Sequence, residues 1–162
     1  MESMNARTAA ALAVAALLFT APCATAADGP MAHFAGSWAG NGKITVKDGT
    51  SERIRCRSTN TATGNALNLS MRCASDSYKF DLGSEIASDN GAISGSWSET
   101  SRGVVGSVSG KMTGTNIQAT ASAVGVTAAL AIRTSGNTLS VSIKSPGSEV
   151  SEVSVAMAKG GR

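Results

Sequence analysis

Large side chains are scarce in this sequence. Two Trp, one Tyr and three Phe make up 4% of it, so a core must be assembled from Val, Ile, Leu, Met and Ala and will be thin per residue. Histidine is nearly missing. His33 is the single one, and any Ser-His-acid triad would have to use it as its base. It falls in a Pro- and Gly-flanked leader, where a solvated side chain is the simpler reading. Carboxylates are scattered (Asp76, Asp81, Glu85, Asp89, Glu99, Glu149, Glu152), and spacing alone places no pair at catalytic separation. No catalytic residue is assigned, and a non-enzymatic protein is expected. Cysteine is also too sparse for a zinc site with one distant His, so neither metal nor cofactor is expected.

Charge and hydrophobic length exclude two further classes. The net charge is only +3, with no block of Lys and Arg such as a nucleic-acid binder carries. The longest apolar run, Ala9 to Phe19, spans 11 residues, whereas a membrane-crossing helix needs about 20. That run follows Arg7 and precedes Pro22 and a small-x-small site at Ala24-Thr25-Ala26. Together these are the three parts of a cleavable export signal over residues 1–26. Pro22 directly before Cys23 fits a lipid-attachment site badly. The mature chain is expected to have no transmembrane segment and to be periplasmic or secreted.

What is abundant is alternation. Ile54, Cys56 and Ser58 alternate with Arg53, Arg55 and Arg57; Leu67, Leu69, Met71 and Cys73 alternate with Asn68, Ser70 and Arg72. The pattern recurs at Tyr78-Phe80-Leu82, Ile93-Gly95-Trp97, Ile117-Ala119-Ala121, Val126-Ala128-Leu130-Ile132, Leu139-Val141-Ile143 and Val153-Val155-Met157. Period-2 spacing gives each strand one buried and one wet face, the signature of antiparallel sheets. Turn-forming stretches lie between the runs: Lys47 to Gly49, Asn60 to Asn65, Asp89 to Gly91, Ser135 to Asn137 and Ser145 to Gly147. The Ala-rich stretch 119–131 has helix propensity, but Gly125 and its Thr residues argue for strands. An all-β antiparallel meander of about ten strands is predicted, closing into a barrel or, alternatively, packing as a β-sandwich. It would occupy residues 35–162, after a flexible leader at 27–34. Gly36-Ser37-Trp38 recurs as Gly95-Ser96-Trp97, as two halves of about five strands each would allow. The segment Gly106 to Lys111 has three residues between its glycines and Met112 after the Lys, so it does not match a phosphate-binding loop.

Gly36-x-Trp38 at the opening of an exported β-meander resembles the first-strand motif of lipocalins and related calycin barrels. That resemblance implies that Trp38 plugs one end and that the open end holds a small apolar ligand. It covers this segment only. The chain as a whole resembles small exported proteins of Gram-negative bacteria, a likeness that implies a compartment and no activity.

Three groups of residues stand out. With Cys23 removed alongside the signal, Cys56 and Cys73 form an even pair in an exported chain and are expected to bridge. Such a bridge contributes about 3 kcal/mol in the chain-entropy model. Arg53, Arg55 and Arg57 share one strand face, and a Cys56–Cys73 bridge between adjacent strands would set Arg72 beside Arg57. Four guanidinium groups can hold phosphate, sulfate or carboxylate in bidentate fashion; the plainer alternative is a solvated face that deters edge pairing. Trp38, Trp97, Tyr78 and Phe80 either fill the core or line a pocket. Two functions follow. One is an envelope binding protein for a small lipophilic or anionic ligand. The other is a structural or inhibitor-like β-domain with a filled core that contacts an envelope component.

Overall fold

The computed structural model describes residues 28–160; the expected export signal, residues 1–26 with Cys23, lies outside them. Ten strands follow one another: β1 Gly36–Val46, β2 Ser51–Thr63, β3 Ala66–Ala74, β4 Lys79–Asp89, β5 Ala92–Glu99, β6 Val104–Thr113, β7 Asn116–Ala123, β8 Val126–Ser135, β9 Thr138–Lys144 and β10 Val150–Lys159. Each pairs antiparallel with its chain neighbours, and β10 returns to β1, closing a barrel rather than a sandwich. Closure removes the unpaired edges that an open sheet would expose.

Alternation sets which residues face inward. Along β2, Ile54, Cys56, Ser58, Asn60 and Ala62 are buried while Arg53, Arg55, Arg57, Thr59 and Thr61 between them are exposed. The Ala-rich stretch forms the β7–β8 hairpin, with Ala119, Ala121 and Ala128 inside. Asn90 and Gly91 join β4 to β5 with φ of 48° and 85°, the positive pair that a tight type I′ hairpin requires. Gly40 and Gly42 face inward where β1 meets β10. A side chain there would run into the carbonyls of Ala156 and Ser154, so only glycine lets the two strands approach so closely at the seam.

The two ends of the barrel differ. One carries the hairpins at 64–65, 90–91, 114–115 and 136–137 together with the N-terminal approach to β1. There the expected flexible leader is instead packed: Ala32–Phe34 form a 3₁₀ turn, and Met31 and Phe34 are fully buried. Their apolar side chains cover an end that would otherwise expose the core. Trp38 Nε1 and Asn60 Nδ2 both donate to the Phe34 carbonyl, at 3.1 and 3.0 Å, and Ser58 Oγ donates to Asn60 Oδ1 at 2.6 Å. The Lys159 ammonium sits 5.2 Å from the centre of the Trp38 ring. Gly36 makes room for it, since a side chain at 36 would collide with the Lys159 stem. Trp38 is therefore a plug, and His33 lies exposed on the same turn.

Two expectations change. The turn expected over Asn60 to Asn65 shrinks to residues 64–65, because β2 continues to Thr63 and buries Asn60 among hydrogen-bond partners. The repeated Gly-Ser-Trp opens β1 but lies midway along β5, whereas two five-strand halves would place the second copy on β6. The tripeptide does not mark a structural repeat.

Candidate functional site

Above the plug the barrel is hollow. A cavity of about 360 Å³ occupies its interior, and its origin is side-chain size. The inward positions of β7 and β8 hold Ala119, Ala121 and Ala128, and β6 sets Gly106 beside Trp97. A side chain at 106 would displace the Trp97 indole, which lies across this wall and donates to the Ser122 carbonyl at 3.4 Å. Met71, Phe80, Leu82, Trp97, Val108 and Ile143 supply much of the apolar surface.

At the mouth, the loops at 100–103 and 145–149 contribute polar groups, Arg102, Ser145, Ser148 and Glu149. Glu99 is the buried acid there, at 5% exposure. Glu99 Oε1 accepts from the Asp81 amide at 2.9 Å and the Ser101 hydroxyl at 2.6 Å. Oε2 accepts from the Arg102 amide at 2.8 Å and pairs with its guanidinium at 3.5 Å. Burial pushes the carboxyl up, but these donors and the Arg102 charge outweigh it and hold Glu99 below the usual carboxylate range. The Arg102 guanidinium lies 4.9 Å from the Phe80 ring centre. Tyr78 stacks on Phe80 from the rim, with centroids 6.3 Å apart. The four aromatic candidates thus divide: Trp38 plugs, Trp97 and Phe80 line the cavity, and Tyr78 packs against Phe80 without lining it.

The arginines lie on the other side of the wall. Cys56 and Cys73 are joined by a disulfide across directly opposed positions of β2 and β3. The next pair along is Arg57 opposite Arg72, both pointing outward and exposed. Arg72 Nε pairs with Asp81 Oδ2 at 3.1 Å. Among the described residues, Arg53, Arg55 and Arg57 make no ion pair. All four predicted arginines are brought together, and Lys43 of β1 and Lys79 of β4 extend the group.

Several contributors escape a first reading of the sequence. Glu99 continues the inward set Ile93-Gly95-Trp97, and Lys159 continues Val153-Val155-Met157, so a charge in the buried register was the available signal. Lys43 and Lys79 join the basic wall through strand pairing, which no local pattern records.

Among the described residues, no helix is long and apolar enough to cross a membrane. Outward positions are mostly Ser, Thr, Ala and charged residues, with Val105 and Val124 the exposed large hydrophobics among them. A membrane β-barrel has the reverse arrangement, an apolar exterior around a polar interior.

No family model and no curated protein matches the chain. Solved structures do. Rv2717c from M. tuberculosis is similar with a TM-score of 0.63 and 15% identity, over 78% of this chain and 92% of that one. The S-type phycobiliprotein lyase CPES from Guillardia theta is similar with a TM-score of 0.54 and 11% identity, over 80% and 90% of the two chains. These likenesses show the fold alone: a closed antiparallel barrel of lipocalin/calycin-like architecture.

Proposed function

We propose that this barrel is a non-enzymatic binding protein of the cell envelope, periplasmic or secreted, that holds one small lipophilic molecule in its interior. The apolar cavity of about 360 Å³ carries this reading. Its volume lies at the lower end of the ~300–1,000 Å³ typical of small-molecule sites, which favours a slender or compact ligand. The polar rim supplies hydrogen-bonding groups where a ligand would meet water. Cavity and disulfide are both in keeping with an exported carrier.

Glu99 is the buried acid of the cavity mouth, and both its oxygens are occupied by the Asp81, Ser101 and Arg102 donors. A carboxylate so engaged is poorly placed to take a proton from a ligand. One similar structure is called a lyase, but 11% identity carries its fold and not its chemistry to this chain. The filled-core alternative would need side chains where the alanines of β7 and β8 leave space.

Native mass spectrometry of the purified protein incubated with a total lipid extract tests the proposal. The expected result is one added mass per barrel, lost in Ala121→Phe. No added mass, or the same mass retained by Ala121→Phe, would refute it.

A further inference from the structure

The outer wall over β1 to β4 concentrates charge in a way the remaining wall does not. Lys43, Arg53, Arg55, Arg57, Arg72 and Lys79 all project outward there; Asp81 is the acid nearest them, already paired with Arg72, and Glu85 and Asp89 follow it farther along β4. From β5 to β9 the outward positions are mainly Ser, Thr and Ala, as in Ser94-Ser96-Ser98 and Thr127-Ala129-Ala131. Exposed like charges directly opposite each other destabilise a sheet, yet Arg57 faces Arg72 in register. The disulfide one position away ties these two strands together against that repulsion.

A depression of about 1050 Å³ also opens between the side chains of this wall. It is lined by Arg55, Arg57, Arg72 and Lys79 and floored by small residues, among them Ala39, Asn41, Ser70 and Ala74. Pairing resolves the cations into two rows. Arg57 and Arg72 form one, and Arg55 and Lys79, on either side of Ala74, form the other. Two residues along a strand separate the rows, roughly 7 Å. Across the strands the depression runs from β1 to β4, roughly 14 Å at the usual interstrand spacing. That is too long for a single small anion. Asn41, Thr59 and Ser70 add uncharged hydrogen-bonding groups along it, and Phe80, half-buried, is the one large apolar side chain in its lining.

We propose that this trough binds a segment of an anionic polysaccharide, its carboxylate or sulfate groups held by the two cation rows and its hydroxyls by the neutral side chains between and beside them. Guanidinium groups suit such anions because they donate two parallel hydrogen bonds. The hydroxyl-rich floor favours a sugar chain. A lipid surface would be met better by a basic face with exposed apolar side chains to insert, whereas Phe80 here is half-buried and covered by Arg102 and Tyr78. The inference goes beyond the cavity reading: the trough shares Cys73 and Phe80 with the cavity lining, and Asp81 and Ser101 with the Glu99 contacts at the mouth, but none of its four cations lines the cavity.

The test is calorimetric titration with polygalacturonate and with dextran sulfate, alongside phosphatidylglycerol vesicles and inorganic phosphate. Wild type should bind both polymers, more tightly at low salt, and Arg55→Ser/Arg57→Ser should bind them at least ~tenfold more weakly. Lys111→Ser/Arg133→Ser removes equal charge from the opposite wall and should change affinity by less than ~threefold if screening confines charge effects to the trough. Arg57→Gln alone, a milder change for which folding is less at risk, should also weaken polymer binding. Uptake of an apolar dye by the cavity should be untouched in every variant, which separates failure here from failure of the carrier reading. Equal losses in the two double variants, tighter binding to vesicles than to polymer, or full competition by inorganic phosphate at low millimolar concentration would each overturn the proposal.

Discussion

At the plugged end of this barrel the inward positions carry Trp38, Leu67, Leu139 and Met157, with Met31 and Phe34 folded in beneath them. At the open end the same register on β7 and β8 carries Ala119, Ala121 and Ala128. Strand geometry and alternation are alike at both ends, and on β7 and β8 it is side-chain volume that differs. One end is a packed core held by hydrogen bonds to the Phe34 carbonyl; the other is a chamber. Pattern therefore decides that a barrel forms, and residue size decides where it is hollow.

The largest effect should come from removing the plug. Trp38→Ala deletes a fully buried side chain and should cost about 3–5 kcal/mol, read by urea denaturation; a loss under about 1 kcal/mol would mean that the packed end does not anchor the fold. Next comes the cross-link. Replacing Cys56 and Cys73 with Ala should cost about 3 kcal/mol, and denaturing the native protein without reductant should release no titratable thiol from this pair.

Enlarging one alanine at each end sharpens the contrast. Ala62→Leu, on β2 near the plug, should cost about 1–3 kcal/mol because that region is already full. Ala128→Leu should change stability by less than about 1 kcal/mol, since the chamber has room. If both cost the same, the difference between the ends is not one of packing.

The smallest effect concerns pH. Glu99 is held below the usual carboxylate range in the folded protein, so the unfolded chain takes up its proton first. Its contribution is complete above an unfolded pKa of about 4.3 and is lost as pH falls through the lower folded value. Stability should therefore drop on acidification below about pH 4, and Glu99→Gln should flatten that slope while leaving the behaviour near pH 7 to 8 unchanged. An identical acid slope in the variant would assign the drop to other carboxylates.

Much of this fold was legible in the sequence. Alternation from Ile54 onward identified the strands, and Cys56 and Cys73 fell at matching inward positions of neighbouring runs, so their bridge and the adjacency of Arg57 and Arg72 could both be anticipated. Closure into a barrel was also expected from the short connections, and the ten strands do close; the residues that meet at the β1–β10 seam could not be read, because they lie more than a hundred positions apart. Nor could the chamber, since period-2 spacing says which way a side chain points and not how much space faces it. The leader was misread because a Pro/Gly-flanked start normally marks a mobile terminus, and only the finished barrel presents an end for Met31 and Phe34 to cover. Asn60 was misread for a similar reason. Alone it is a turn residue, and the Phe34 carbonyl that makes it a buried strand residue lies 26 positions away.

The central claim is that an apolar chamber beside Trp97 accepts a guest, and the most direct test is titration with an apolar naphthylamine dye followed by energy transfer from tryptophan. Saturation at one dye per barrel is expected, with affinity reduced at least ~tenfold in Ala121→Phe by loss of space. No saturable transfer in the wild type, or equal transfer in the filled variant, would contradict it.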